Sequence, residues 1–146
     1  MLVKDICARK VVATPRGTAV VEAAKLMRQH HVGEVVVTDG RRKPVGILTD
    51  RDIVLEVVAM GLAMEDLSVG DLISGELVKV QEDASLIDTV RSLRASGVRR
   101  APVVGRGGAL VGIVSLDDLV QVMAEELNAV ARVISKGHER EAAMRP

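Results

Sequence analysis

Val45-Gly46-Ile47-Leu48-Thr49-Asp50-Arg51-Asp52-Ile53-Val54 and Val111-Gly112-Ile113-Val114-Ser115-Leu116-Asp117-Asp118-Leu119-Val120 are one pattern written twice. Each runs from apolar residues through a glycine to a hydroxyl residue, with Asp three positions later. The apolar part reads as the end of a strand, and Thr49 or Ser115 as the opening of a helix. Sliding the chain by 66 residues without a gap extends the match to Asp5–Val54 on Asp71–Val120, where ten of the fifty pairs are identical. Others exchange like for like, as Glu22 with Asp88 and Lys25 with Arg91. An ungapped register of this length points to internal duplication. Two copies point to a pseudo-twofold pair and not a solenoid.

Each copy predicts the same elements. A short strand (Val11–Thr14 or Leu77–Val80) precedes a helix with Val20, Ala23, Ala24 and Met27, or Leu86, Thr89, Val90 and Leu93, on one face. Thr18 is the expected N-cap of the first helix. Ser85 with Asp88 forms a capping-box pattern for the second. Gly97 falls where the second helix should stop, and His31 is its counterpart. Strands Val32–Thr38 and Pro44–Leu48, joined by Asp39–Lys43, read as a hairpin, as do Val98–Val104 and Leu110–Val114 around Gly105–Gly108. A closing helix begins near Asp50 or Leu116.

The expected fold is thus α/β (α+β), with two β-α-β-β-α units packed sheet to sheet about a pseudo-twofold axis. That packing buries both faces of each three-stranded sheet and accounts for the Val-rich strands. The expected division is 1–66 for the first repeat with its connector (Gly61–Gly70), 67–136 for the second with an extended C-terminal helix, and 137–146 as a frayed tail.

Composition narrows the function. Of 146 residues, 20 are basic and 20 acidic, 48% are apolar, and none is Phe, Tyr or Trp. No aromatic platform exists for stacking bases, and a pI near 6.8 gives no electrostatic footprint for duplex nucleic acid. The longest apolar stretch, Ile53–Met64, is broken by Glu56 and is too short for a span. The first ten residues lack a signal's apolar region. A lone cysteine, Cys7, fits a reducing cytoplasm. The expectation is a soluble cytoplasmic protein with neither a nucleic-acid nor a membrane partner.

The Gly-x-x-Thr/Ser-x-x-Asp spacing has two readings. A hydroxyl followed three residues later by an acid is a capping box, which any helix can use. The same geometry suits a nucleoside phosphate: free N–H groups and a hydroxyl for phosphate, and a carboxylate for vicinal ribose hydroxyls. His30-His31 is a poor metal pair, because adjacent helical side chains diverge. Cys7 has no evident base partner.

These paired motifs resemble a tandem of cystathionine-β-synthase-type (CBS) domains, the Bateman module, over roughly residues 1–136. Val98-Arg99-Arg100-Ala101-Pro102-Val103-Val104 is similar to that family's apolar-Pro-apolar strand, and Thr49-Asp50-Arg51-Asp52-Ile53 to its final motif. The resemblance implies a disc, often a homodimer, whose clefts bind adenosine ligands: AMP, ADP, ATP, S-adenosylmethionine or NAD. It puts Thr49 and Ser115 on phosphate or ribose oxygens and Asp52 and Asp118 on ribose hydroxyls. Ile47 and Ile113 would line adenine, and Arg99 and Arg100 would meet phosphate beside Pro102. The first copy has Gly33-Glu34-Val35-Val36 where the second has Arg99-Arg100-Ala101-Pro102. The better phosphate site is therefore expected at Ser115 and Asp118 with the two arginines, leaving Arg51 as the cation near Thr49 and Asp52.

No nucleophile, base or metal cluster supports an enzyme, and no cofactor is required. The leading reading is a regulatory sensor without catalysis, the nucleotide being a regulatory ligand and the target an unidentified protein. The alternative is a structural or interaction module with vestigial clefts, acting through dimerisation or partner binding, with the long C-terminal helix as its surface.

Overall fold

The computed structural model describes residues 1–145. Its strands form two three-stranded sheets. In the first, β1 (Ala13–Pro15) runs parallel to β2 (Glu34–Thr38), which pairs antiparallel with β3 (Pro44–Thr49). In the second, β4 (Val80–Gln81) runs parallel to β5 (Arg100–Val104), which pairs antiparallel with β6 (Leu110–Ser115). Each hairpin carries a register shift at the same place, Val37/Thr38 and Val103/Val104. The helices are α1 (Val20–His30), α2 (Asp50–Ile53), α3 (Val69–Leu72), α4 (Leu86–Ser96) and α5 (Leu116–Met144). A π-helical turn, Val54–Val58, continues α2.

The valines of β2 explain the layering. Val35, Val36 and Val37 are all fully buried, because successive side chains face opposite sides of the sheet. Val35 and Val37 join Val20, Ala23, Met27, Leu48 and Val57 beneath the helices of the first half. Val36 points the other way and meets Leu110 and Ile113 of the second sheet, flanked by Val11 and Ile47. The sheets therefore pack face to face, as the repeat implied.

The cores do not follow the expected boundary between residues 66 and 67. Val69 of α3 lies in the first core, whereas Val3, in a 3₁₀ turn at Val3–Asp5, lies in the second with Leu93, Val103 and Leu119. Each repeat lends its opening turn to the other's core. The main chain fixes the exchange: Val3 N–H donates to Ala84 O, and Val69 N–H to Thr18 O, at 2.9 and 2.7 Å.

The same exchange corrects the expected cap. Ala19, not Thr18, is the N-cap residue of α1, and no side chain caps it. Val20 N–H instead donates to Leu67 O, and the Thr18 hydroxyl pairs with that of Thr14 at 2.5 Å. Ser85 does cap α4, its hydroxyl accepting from Asp88 N–H. His31 and Gly97 end α1 and α4 in the same left-handed conformation, φ 54° and 65°. The opening strands are shorter than their apolar runs. The tail does not fray at Gly137, since α5 continues to Met144.

Candidate functional site

Both Gly-x-x-Thr/Ser-x-x-Asp segments form complete capping boxes. Asp52 N–H donates to Thr49 Oγ1 at 3.1 Å, while Thr49 N–H donates to Asp52 Oδ2 at 2.9 Å. Asp118 and Ser115 repeat both bonds at 3.2 and 2.9 Å. The boxes differ in one proton. The Ser115 hydroxyl donates to Asp118 Oδ2 at 2.7 Å, whereas the Thr49 hydroxyl donates to no group among the described residues. Thr49 thus keeps a donor for a ligand, and Oδ1 of each aspartate keeps its acceptor capacity.

A cavity of about 600 Å³ opens beside Thr49, within the range of small-molecule sites. Its walls come from three places. Arg16, Val45, Gly46, Ile47 and Thr49 belong to the first half; Val98, Arg99 and Arg100 belong to the second; Ile73–Val78 runs between them. The apolar wall is aliphatic, and three arginines face one carboxylate, Glu76. Arg100 is also tied to Glu34 by an ion pair. These residues are 66 positions apart, so they are equivalents meeting across the pseudo-twofold axis with opposite charge.

The equivalent cleft beside Ser115 is closed. Ala8 N–H donates to Ile113 O at 2.9 Å, and Ile113 N–H returns a bond to Ala8 O at 3.0 Å. Cys7 packs directly on Gly112. A separate pocket of about 120 Å³ lies nearby between Arg9, Val11, Thr38, Arg42 and Val111. The bridge between Ala19 and Ser68 is mirrored by that between Ser85 and Leu2, but the bridge between Ala8 and Ile113 has no mate at Ser74 and Ile47.

The arrangement corrects the expected grouping. Arg99 and Arg100 line the cavity with Ile47 and Thr49, not one with Ser115 and Asp118. Arg100 is the ladder partner of Ser115, but its side chain crosses the axis to Glu34. Arg51 and Asp52 lie on α2 just after Thr49, Asp52 being bonded to it, and neither lines the cavity. Ile113 and Pro102 are partners within the second sheet, and both are buried. The family resemblance implies that an opening strand, near Val11–Thr14 or Leu77–Val80, completes each cleft, and Leu77 and Val78 do line this one; Arg16 and residues 73–76 were not expected. The available signals were the charge reversal from Arg16 to Glu82 and the glycine, Gly75, standing where the other copy has Arg9.

Other candidates carry less. Burial pushes the Cys7 thiol above its ordinary value, which opposes thiolate chemistry. His30 and His31 are both exposed, and no cluster of three metal-ligating side chains occurs among the described residues. Among the described residues no helix is long and apolar enough to cross a membrane.

Two stacked sheets with a cleft between the repeats define a paired-repeat fold. The chain belongs to the CBS domain family, which matches residues 3–59 and again 69–125. It is 40% identical over 126 residues to the CBS domain-containing protein YhcV of Bacillus subtilis, covering 85% of this chain and 87% of that one. An uncharacterized protein of Methanopyrus kandleri, MK0525, is 34% identical over 120 residues; the match covers 82% of this chain and only 61% of that protein. Among solved structures, hypoxic response protein I with two coordinated zinc ions superposes with a TM-score of 0.75 at 30% identity, over 83% of this chain and 98% of that one. The CBS domain protein PAE2072 of Pyrobaculum aerophilum, complexed with AMP, gives 0.73 at 25% identity, over 81% and 89%. A hexameric CBS-CP12 protein from bloom-forming cyanobacteria gives 0.73 at 25%, over 94% and 88%.

Proposed function

We propose that this chain is a regulatory sensor that binds an adenosine-containing nucleotide in the cavity beside Thr49 and catalyses no reaction. One observation carries the reading: the cavity joins Thr49 and Ile47 of one repeat to Arg99 and Arg100 of the other. In this reading the Thr49 hydroxyl and the arginines hold phosphate, with Arg51 at the rim. Asp52 Oδ1 accepts from the ribose hydroxyls, and Ile47 with its aliphatic neighbours sandwiches adenine. An excess of cations favours AMP, ADP or ATP over the sulfonium of S-adenosylmethionine, and a cavity of this size favours them over NAD. The AMP complex of a relative agrees with that class of ligand.

Because a ligand shifts a protein only through differential affinity for two states, the cleft's two-repeat wall matters. A nucleotide gripped from both halves changes how the halves sit and can be read by a protein partner. We place the module in the cytoplasm, supported by the lone buried Cys7, and as a homodimer, supported by exposed Val54, Val58, Val120 and Met123 on equivalent helices.

Titration calorimetry with AMP, ADP and ATP tests the site. Asp52→Ala should weaken binding about tenfold or more, the scale of hydrogen bonds to a charged group. Asp118→Ala should leave affinity within about twofold while losing a cap worth about 1 kcal/mol of stability. Weakening by Asp118→Ala alone overturns the cleft assignment, and failure of every adenosine ligand to bind overturns the sensor.

A further inference from the structure

Helix α5 outlasts the domain it belongs to. The family match ends at residue 125, but the helix runs to Met144, about 28 Å further at 1.5 Å per residue. Only its first turns dock: Leu119 is buried and Val122 half-buried, whereas every described residue from Met123 to Arg145 is exposed.

That exposed length is patterned. Leu116, Val120, Met123, Leu127, Val130, Ile134 and Gly137 follow one another at alternating steps of four and three. This is the a/d spacing of a heptad, with Val120, Leu127 and Ile134 at a and Met123, Val130 and Gly137 at d. Leu127 is 71% exposed and Ile134 60%, and Val120 and Met123 continue the stripe onto the docked turns. A period of 3.5 matches a second helix wound alongside, not a flat surface.

We propose that α5 forms an antiparallel two-stranded coiled coil with α5 of a second copy of this chain. The inference rests on the homodimer reading above and gives it a surface. Charge selects both occupant and direction. Residues 116–128 carry four carboxylates (Asp117, Asp118, Glu125, Glu126) and no cation. Residues 129–141 carry Arg132, Lys136 and Arg140 against Glu139 and Glu141. A parallel pair would set the half of net charge −4 beside its twin; an antiparallel pair sets it beside the half of net charge +1, bringing Asp117 opposite Arg140, and opposes the helix dipoles. With the twofold axis between Asn128 and Ala129, each a residue meets a d residue: Leu127 with Val130, Met123 with Ile134, Val120 with Gly137.

Light scattering and sedimentation of the full chain across a concentration series test the proposal, with circular dichroism to check folding. The wild type should be a dimer, and the double variant Leu127→Glu with Ile134→Glu should fall to half that mass. A wild-type monomer overturns the coil and the homodimer reading together. A dimer that survives the double variant overturns only the coil, and its dissociation by Val54→Glu with Val58→Glu would put the dimer on the α2 face. Direction is read by disulfide capture in a Cys7→Ala background. Met123→Cys mixed with Ile134→Cys should cross-link as the heteropair; cross-linking of Ile134→Cys with itself overturns the antiparallel arrangement. Co-sedimentation of a monomeric wild type with phosphatidylcholine–phosphatidylserine vesicles would assign the stripe to a membrane and overturn the second copy as occupant.

Discussion

The two clefts are built from the same pattern, yet one is open to about 600 Å³ and the other is crossed by a backbone bridge between Ala8 and Ile113. The lining residues of the strands do not explain this, since Val45, Gly46 and Ile47 repeat as Val111, Gly112 and Ile113. The difference lies in the segment that crosses each cleft. In one copy Ala8 exchanges two backbone bonds with Ile113. In the other, Arg9 is replaced by Gly75, whose φ of +79° suits a residue without a Cβ, and Ser74 forms no such bridge with Ile47. A second asymmetry reinforces the first. Leu110 N–H donates to Arg42 O across the interface at 2.9 Å, but the residue equivalent to Leu110 is Pro44, which has no N–H to give. The two clefts thus differ at one glycine and one proline, Gly75 opposite Arg9 and Pro44 opposite Leu110.

The largest effect on this comparison should come from the paired glycines of the strands. A Cβ on Gly112 would lie 2.7 Å from Cys7 Sγ and 2.9 Å from the backbone oxygen of Ala8, whereas on Gly46 its nearest neighbours would be Ile73 Cδ1 at 2.7 Å, which can rotate away, and Ile73 Cβ at 3.0 Å. Backbone cannot step aside as a side chain can. Gly112→Ala should cost about 2–3 kcal/mol, the upper range for overpacking, and Gly46→Ala clearly less. Urea unfolding followed by circular dichroism checks both, since the chain offers no aromatic signal. Equal costs would mean that the closed cleft is no more rigid than the open one.

The fold was legible because it rests on periodicity. Val35–Val37 between two faces, the glycine hairpins and the repeat itself all follow from local pattern. The pairing of site residues was not legible. Arg99, Arg100 and Ser115 belong to one repeat, and Arg100 pairs with Ser115 in one sheet, so the sequence pattern groups them. The pseudo-twofold axis instead carries the start of β5 over to the end of β3, a relation of quaternary type within one chain. The exchange of opening turns was hidden for the same reason: Val3 and Val69 fit either core equally well by hydrophobicity. Glu34 and Arg100 carry a further clue, opposite charges at equivalent positions, whose meaning is attraction across the axis.

That ion pair offers a sharper, smaller test. Glu34 holds Arg100 at the cavity wall, but its charge also offsets the arginine's attraction for phosphate. Glu34→Gln removes the charge and keeps the shape. Affinity for AMP should then rise several-fold, about 1 kcal/mol for a half-buried charge pair, with a gain that shrinks as salt is added. Calorimetry at two ionic strengths reads this directly. A loss of affinity would show that positioning Arg100 outweighs neutralising it.

The smallest predicted effect sits far from either cleft, where the copies have the same backbone and different residues. His31 and Gly97 both end a helix at positive φ, a conformation that costs a residue with a Cβ about 1 kcal/mol. The second copy avoids that cost with glycine, while the first carries it. His31→Gly should therefore stabilise the protein by about 0.5 kcal/mol, the gain being trimmed by glycine's greater freedom in the unfolded chain. Gly97→Ala should destabilise it by about 1 kcal/mol. Opposite signs in thermal melts at 222 nm are the expected result. Two changes of the same sign would mean that the exposed His31 ring makes contacts at the helix end that its equivalent cannot.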